Sequence, residues 1–219
     1  MIKGAIFDMD GTLLDSMPVW EHACEDYMRS RGVIAKEGLS DILFTMSMAE
    51  GASYVKKTYG MAESEEEIIE GVNTLVMDAY RWKISAKAGV QQFLDQLKEA
   101  GIPMVVATST DRPMAEAALA RTGLLPYFQR IFTSTEIGVG KSRPNIYHVA
   151  AGYLGGQPPE VWVFEDALYA AQTAVEAGYT TVGIYDAVSR RQKEEERLKR
   201  TVDIYVKDWR DMTLERLQF

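Results

Sequence analysis

The stretch Asp8-Met9-Asp10-Gly11-Thr12 directly follows an apolar run over residues 2–7. Such a run is typical of a buried parallel strand, and Gly11 ends it in a turn. Asp8 is therefore expected at the carboxyl end of the strand, where ligands bind in open α/β sheets, with Asp10 in the adjoining loop. Two neighbouring carboxylates favour acid–base chemistry or a cation site, although an Asp before Gly can also simply cap a turn.

The chain from residue 86 onward alternates between helical and strand patterns. This alternation predicts an α/β fold with a doubly wound, Rossmann-like parallel sheet and helices on both faces. Further strands are predicted at residues 103–107, 130–133, 161–164 and 181–185, with an edge strand at 203–206. Residues 189–200 are interpreted as a charged helix or loop, and residues 209–217 as a closing helix.

The segment between the first strand and residue 86 has a helical pattern throughout. Helices are predicted at residues 19–32, 40–44, 48–59 and 65–82, and the last of them begins with a capping box formed by Ser64 and Glu67. An all-helical block inserted after one strand indicates a separate small domain. We therefore expect a core domain over residues 1–15 and 86–219, and an inserted α-helical cap domain over residues 16–85.

Composition limits the classes of partner. The 219 residues carry a formal net charge of −8, which disfavours a general nucleic-acid or anionic-membrane surface and points to a small-molecule partner. No apolar run reaches the ~20 residues of a membrane span, and the chain enters its first strand without a signal peptide, so we expect a cytoplasmic protein. Cys24 is the only cysteine, which excludes an intrachain disulfide and a cysteine-based metal site. A monomer or a simple homo-oligomer is expected.

Polar clusters follow three more of the predicted elements. The hydroxyls and amides of Thr108-Ser109-Thr110 are suited to cradle phosphate oxygens or to cap a helix. Lys141 lies in a glycine-rich loop before a helix, as either a site cation or a surface lysine. Glu165-Asp166 ends another strand and either caps the next helix or binds a cation. With Asp8 and Asp10, Asp166 offers oxygen ligands of the kind that Mg²⁺ accepts.

In motif and order the chain resembles the haloacid dehalogenase superfamily, in its branch of β-phosphoglucomutase and small-metabolite phosphatases. The resemblance implies that Asp8 is the nucleophile and Asp10 the acid–base residue. It further implies that Thr108, Ser109 and Lys141 bind phosphate. The implied Mg²⁺ ligands are Asp8, Asp166 and the main-chain carbonyl of Asp10, with Glu165 as a ligand either directly or through water.

The function expected from this resemblance is Mg²⁺-dependent hydrolysis of a small phosphorylated metabolite through an aspartyl-phosphate. One alternative is a sugar-phosphate mutase of the β-phosphoglucomutase type, and another is a non-catalytic binding or regulatory module. Trp20 and Met48 occupy the places of a His and an Arg in the mutase pattern, which favours hydrolysis. The chain also departs from its branch at Asn145, Ala167 and Ala170, where Asp, Ser and Gly are usual.

Overall fold

The structure is a computed structural model that describes residues 2–43, 46, 48–187 and 194–217. The chain divides into two compact units. One comprises Met1–Met17 and Ile84–Phe219, and the other comprises Pro18–Lys83. The domain boundaries expected from the sequence are after residue 15 and before residue 86.

The larger unit is built on a six-stranded parallel sheet with the strand order β3-β2-β1-β4-β5-β6. The strands are β1 Gly4–Phe7, β2 Met104–Thr108, β3 Arg130–Thr133, β4 Val161–Glu165, β5 Thr180–Ile184 and β6 Ile204–Val206. The strand order reverses at β1, which pairs with β2 on one side and β4 on the other. Ligands bind at such a switch point in open α/β sheets, and the predicted fold class is confirmed.

The helices belong to the two units in turn. The helices of the smaller unit are α1 Met17–Ser30, α2 Leu39–Leu43, α3 Met48–Tyr59 and α4 Glu65–Trp82. The first residue of α1, Met17, belongs to the larger unit. The larger unit has α5 Val90–Glu99, α6 Arg112–Arg121, α7 Ser134–Ile137, α8 Asn145–Tyr153, α9 Leu168–Glu176 and α10 Glu195–Thr201. The predicted capping box of Ser64 and Glu67 is present at the start of α4. Across the described ranges, we find no helix with the length and apolarity needed to cross a membrane.

An aromatic cluster lies at the carboxyl ends of β1 and β4. The rings of Phe7 and Phe164 stack with centroids 4.3 Å apart, at paired positions of the two strands. Phe93 of α5 and Trp209 pack against Phe164 at 5.6 and 5.7 Å. Because Phe7 and Phe164 are paired in the register of the two strands, the residues that follow them emerge side by side.

The predicted closing helix over residues 209–217 is wrong. Two short 3₁₀ helices, Trp209–Asp211 and Leu214–Leu217, take its place. The Asp208 side chain accepts a hydrogen bond from the Arg210 amide and fixes the first turn, Met212 is extended, and the Leu214 amide donates to Gln96 Oε1 of α5. One local hydrogen bond and one tertiary hydrogen bond thus take the place of those of a continuous helix. Of the segment 189–200, residues 189–193 lie outside the described residues.

Candidate active site

The ends of three neighbouring strands bring the predicted acidic and hydroxyl residues to one edge of the sheet. Asp8 follows the last residue of β1, Thr108 ends β2 and Glu165 ends β4. The Asp8 amide donates to the Phe164 carbonyl at 2.9 Å, which continues the pairing of β1 and β4 by one step. Since parallel strands end at the same edge, Asp8 and Glu165 become neighbours.

Lys141 lies between two buried carboxylates. Its ammonium donates to Asp8 Oδ1 and, at 2.7 Å, to Glu165 Oε1. The same Glu165 oxygen accepts a hydrogen bond of 2.7 Å from the Tyr147 hydroxyl of α8. Lys141 is only 3% exposed, so the alternative of a surface lysine is excluded.

Burial and charge act in opposite directions on the pKa values of these groups. Burial alone lowers the pKa of Lys141, but the carboxylates of Asp8 and Glu165 outweigh it and raise the pKa. Burial, together with the charge of Asp8, raises the pKa of Glu165 to about 7 although Lys141 opposes the shift. Burial, and then Asp8 and Glu165, raise the pKa of Asp166 well above its ordinary value. When they are ionised, the three carboxyls therefore carry more negative charge than the single positive charge of Lys141 can neutralise.

Two hydroxyls donate hydrogen bonds to the carboxylate of Asp10. Ser16 Oγ donates to Asp10 Oδ1 at 2.7 Å, and Thr110 Oγ1 donates to Asp10 Oδ2 at 2.6 Å. Sequence reasoning did not assign either hydroxyl to Asp10. Thr110 belongs to the hydroxyl cluster predicted after β2. Its partner, Asp10, lies one hundred residues earlier in the chain, and the two come together because β1 and β2 are neighbours in the sheet.

The other two members of that cluster differ in exposure. Thr108 is fully buried, and its Oγ1 accepts a hydrogen bond of 3.0 Å from the Thr110 amide, which shapes the turn after β2. Ser109 is exposed, and its hydroxyl lies 3.4 Å from that of Ser134. The phosphate-binding role of Thr108 and Ser109 stays a prediction.

The glycine of the first motif allows Asp166 to approach the loop closely. Gly11 has φ +80°, and a Cβ at this position would lie 2.2 Å from Asp166 Oδ2. Thr12 Oγ1 donates to the other oxygen, Oδ1, at 3.2 Å. The Thr12 carbonyl accepts a hydrogen bond of 2.9 Å from Trp209 Nε1, which ties the loop to the aromatic cluster. Only a residue without a side chain fits at position 11.

The site has the donor set of a hard-cation centre. Oxygens of Asp8, Glu165 and Asp166 lie within 4.8 Å of one another, and all three residues are buried. Among the described residues, Asp8 Oδ2 is buried and has no hydrogen-bond partner. An unpartnered carboxylate oxygen is costly in the protein interior, and a cation satisfies it. The residues therefore fit a divalent metal ion. Because Oε1 of Glu165 already accepts hydrogen bonds from Lys141 and Tyr147, Glu165 would offer such an ion its other oxygen, Oε2.

Sequence comparisons match the chain to known hydrolases. The sequence profile of haloacid dehalogenase-like hydrolases matches residues 2–178. Hexitol phosphatase A from Escherichia coli (strain K12) is 30% identical over 183 residues, which cover 83% of this chain and 82% of the relative. Phosphoglycolate phosphatase from Rhodobacter capsulatus is 29% identical over 184 residues, which cover 81% of this chain and 82% of the relative.

A solved structure has the same fold. A structure from Thermotoga maritima, named as a candidate β-phosphoglucomutase, matches with a TM-score of 0.86 at 25% identity. The match covers 100% of this chain and 99% of the other. The chain belongs to the haloacid dehalogenase-like hydrolase family, as the order of its motifs predicts.

Proposed function

We propose that the protein is a Mg²⁺-dependent phosphatase that hydrolyses a small phosphorylated metabolite through an aspartyl-phosphate on Asp8. The observation that carries this proposal is the environment of Asp8. One of its oxygens contacts the Lys141 ammonium and the other is buried without a hydrogen-bond partner among the described residues. A carboxylate placed in this way, at the end of the central strand, is suited to act as nucleophile and as metal ligand.

In the first step an oxygen of Asp8 attacks phosphorus. A bond forms between them, and the bond from phosphorus to the alcohol oxygen of the substrate breaks. Asp10 gives its proton to that oxygen, so the alcohol leaves in its neutral form. The Lys141 ammonium, already beside Asp8, stabilises the negative charge on the phosphoryl oxygens as they pass through the transition state.

In the second step Asp10 takes a proton from a water molecule. The water oxygen forms a bond to phosphorus, and the bond from phosphorus to Asp8 breaks, which releases phosphate and restores the carboxylate. Ser16 and Thr110 support both steps, because their hydroxyls bind the two oxygens of Asp10 and limit its rotation. Thr108 and Ser109 are proposed to bind the phosphoryl oxygens at the end of β2.

The metal ion is proposed to bind Asp8, Asp166 and the main-chain carbonyl of Asp10, with Glu165 beside it. A bound Mg²⁺ supplies positive charge that offsets the repulsion between the phosphate and these carboxylates. Glu165 uses Oε1 for Lys141 and Tyr147, so its contribution to a metal is restricted to Oε2, directly or through water.

Hydrolysis is favoured over phosphate transfer within a sugar. A mutase must hold a bisphosphate by its distal phosphate, which requires a cationic group in the cap. At the two places where the mutase pattern has His and Arg, this chain has Trp20 and Met48, and Trp20 Nε1 donates to the Tyr80 hydroxyl at 2.8 Å within the smaller unit. Phe44, Thr45 and Ser47, through which Met48 is aligned, lie outside the described residues. The named phosphatases among the relatives support a small phosphorylated sugar or acid as substrate.

The proposal is tested by phosphate release from p-nitrophenyl phosphate and from a panel of sugar and acid phosphates. We expect turnover with Mg²⁺ in the wild type and none above background in Asp8→Asn. Asp15→Asn, the same change at an exposed carboxylate in the adjoining turn, is the control and should keep full activity. With β-glucose 1-phosphate and a trace of the 1,6-bisphosphate, glucose 6-phosphate forming faster than free phosphate would establish the mutase instead.

A further inference from the structure

Tyr147 is a buried phenol that contacts Glu165, the partner of Lys141, and has no part in the steps above. It is fully buried on α8, six residues after Lys141. Its hydroxyl donates to Glu165 Oε1 at 2.7 Å, and the Ala170 carbonyl, at 3.4 Å, is a longer second acceptor. Burial and the nearby Glu165 raise the pKa of Tyr147 well above its ordinary value, so the hydroxyl stays a donor.

The hydrogen bond fixes an oxygen that Lys141 also uses. A glutamate has two free side-chain torsions before a carboxylate whose last torsion is broad, and one ammonium contact does not set the plane of that carboxylate. Two donors on the same oxygen, Lys141 Nζ and the Tyr147 hydroxyl, both at 2.7 Å, do set it. Glu165 Oε1 is one of the two carboxylate oxygens that the Lys141 ammonium contacts, and Asp8 Oδ1 is the other.

We propose that Tyr147 is a positioning residue that acts through Glu165 to hold the Lys141 ammonium against Asp8. This inference rests on the proposed phosphatase function. The hydroxyl touches neither the nucleophile nor the acid–base carboxyl, so its contribution is to the orientation of the groups that stabilise the transition state. Loss of a hydrogen bond that supports a site ligand typically lowers activity about 10- to 100-fold.

The molecule offers a matched control for the removal of this hydroxyl. Tyr179 is also buried, and its ring lies 6.2 Å from that of Tyr147. Its hydroxyl forms a 2.8 Å hydrogen bond with His148 Nδ1, away from the carboxylates. Tyr147→Phe and Tyr179→Phe therefore each delete one phenol hydroxyl while keeping a buried ring, and only the first removes a hydrogen bond to Glu165.

The experiment compares kcat, KM and thermal stability of the two variants with p-nitrophenyl phosphate. We expect kcat of Tyr147→Phe to fall about 10-fold or more with KM within about twofold, whereas Tyr179→Phe keeps kcat within about twofold. In a Glu165→Ala background, which has no acceptor for the Tyr147 hydroxyl, Tyr147→Phe should lower kcat no further, because its effect passes through that side chain. Equal kcat in the two single variants would overturn the proposal.

A readout without turnover separates this inference from the proposed function. Crystal structures of the two variants are expected to show the Glu165 carboxylate reoriented in Tyr147→Phe and unchanged in Tyr179→Phe. An unchanged Glu165 in both variants would refute the positioning role. A reoriented Glu165 in a protein whose wild type releases no phosphate would uphold the positioning of Lys141 and refute the phosphatase.

Discussion

Replacement of Lys141 by Met tests the charge balance of the site most severely. The ammonium is the cation that both Asp8 and Glu165 contact, and the exposed fractions of these two side chains are 8% and 1%. Removing one partner of a buried ion pair costs about 3–5 kcal/mol of unfolding free energy. For a chain of this length each kcal/mol lowers Tm by about 2–4 °C, so Lys141→Met is expected to lower Tm by roughly 6–20 °C at pH 8 without metal.

The assay is thermal unfolding in EDTA at pH 8 and at pH 5, with Lys207→Met as the control for loss of an exposed lysine after β6. At pH 5 the deficit should shrink, because burial raises the pKa of Glu165 to about 7 even with Lys141 present and the carboxyl is then neutral. The control should change Tm by no more than about 2 °C, as is usual for surface substitutions. A similarly small change in Lys141→Met, or an equal deficit at both pH values, would refute the reasoning.

Three further outcomes are expected. For the metal-free protein, the stability contributed by neutral Glu165 is complete below its ordinary pKa of 4.5 and is lost as pH rises through about 7. Unfolding scans should therefore show Tm falling from pH 5 to pH 8, and Glu165→Gln should flatten that fall. Asp10→Asn should lower kcat about 10²-fold or more in a steady-state assay, because the amide transfers no proton. EDTA should abolish phosphate release, with activity restored by Mg²⁺ and poorly by Ca²⁺, which prefers more ligands at longer distances; full activity in EDTA would be evidence against a metal.

Local patterns were sufficient for the fold. The apolar run before Asp8 forms the central strand β1, and the alternation after residue 86 correctly predicted a parallel sheet, although not its strand order. Both signals are local, since burial on two faces makes a strand uniformly apolar. The end of the chain was wrong for the opposite reason, because residues 209–217 are shaped by hydrogen bonds to distant groups such as Gln96.

The side chains that come together at the end of β1 could be named from the sequence, but their contacts could not be. The motifs identified Asp8, Lys141 and Glu165, which the structure brings into direct contact. The hydroxyls of Thr110 and Tyr147 were not assigned partners from the sequence. The partner of Thr110 depends on the strand order, and the partner of Tyr147 depends on the rotation of α8, and neither can be read from spacing in the sequence. Tyr147 in particular lies in a segment with a helical pattern, where a buried aromatic residue is usually part of the hydrophobic core.

The most direct test of the central claim is to locate the phosphoryl group on the enzyme. Wild type is mixed with substrate and Mg²⁺, quenched in acid within one turnover, and treated with borohydride, which reduces an aspartyl-phosphate to homoserine. Peptide mass mapping is expected to find homoserine at position 8 and unchanged aspartate at position 10. Phosphate release without any modification of Asp8, or a phosphoryl group on another residue, would contradict the mechanism.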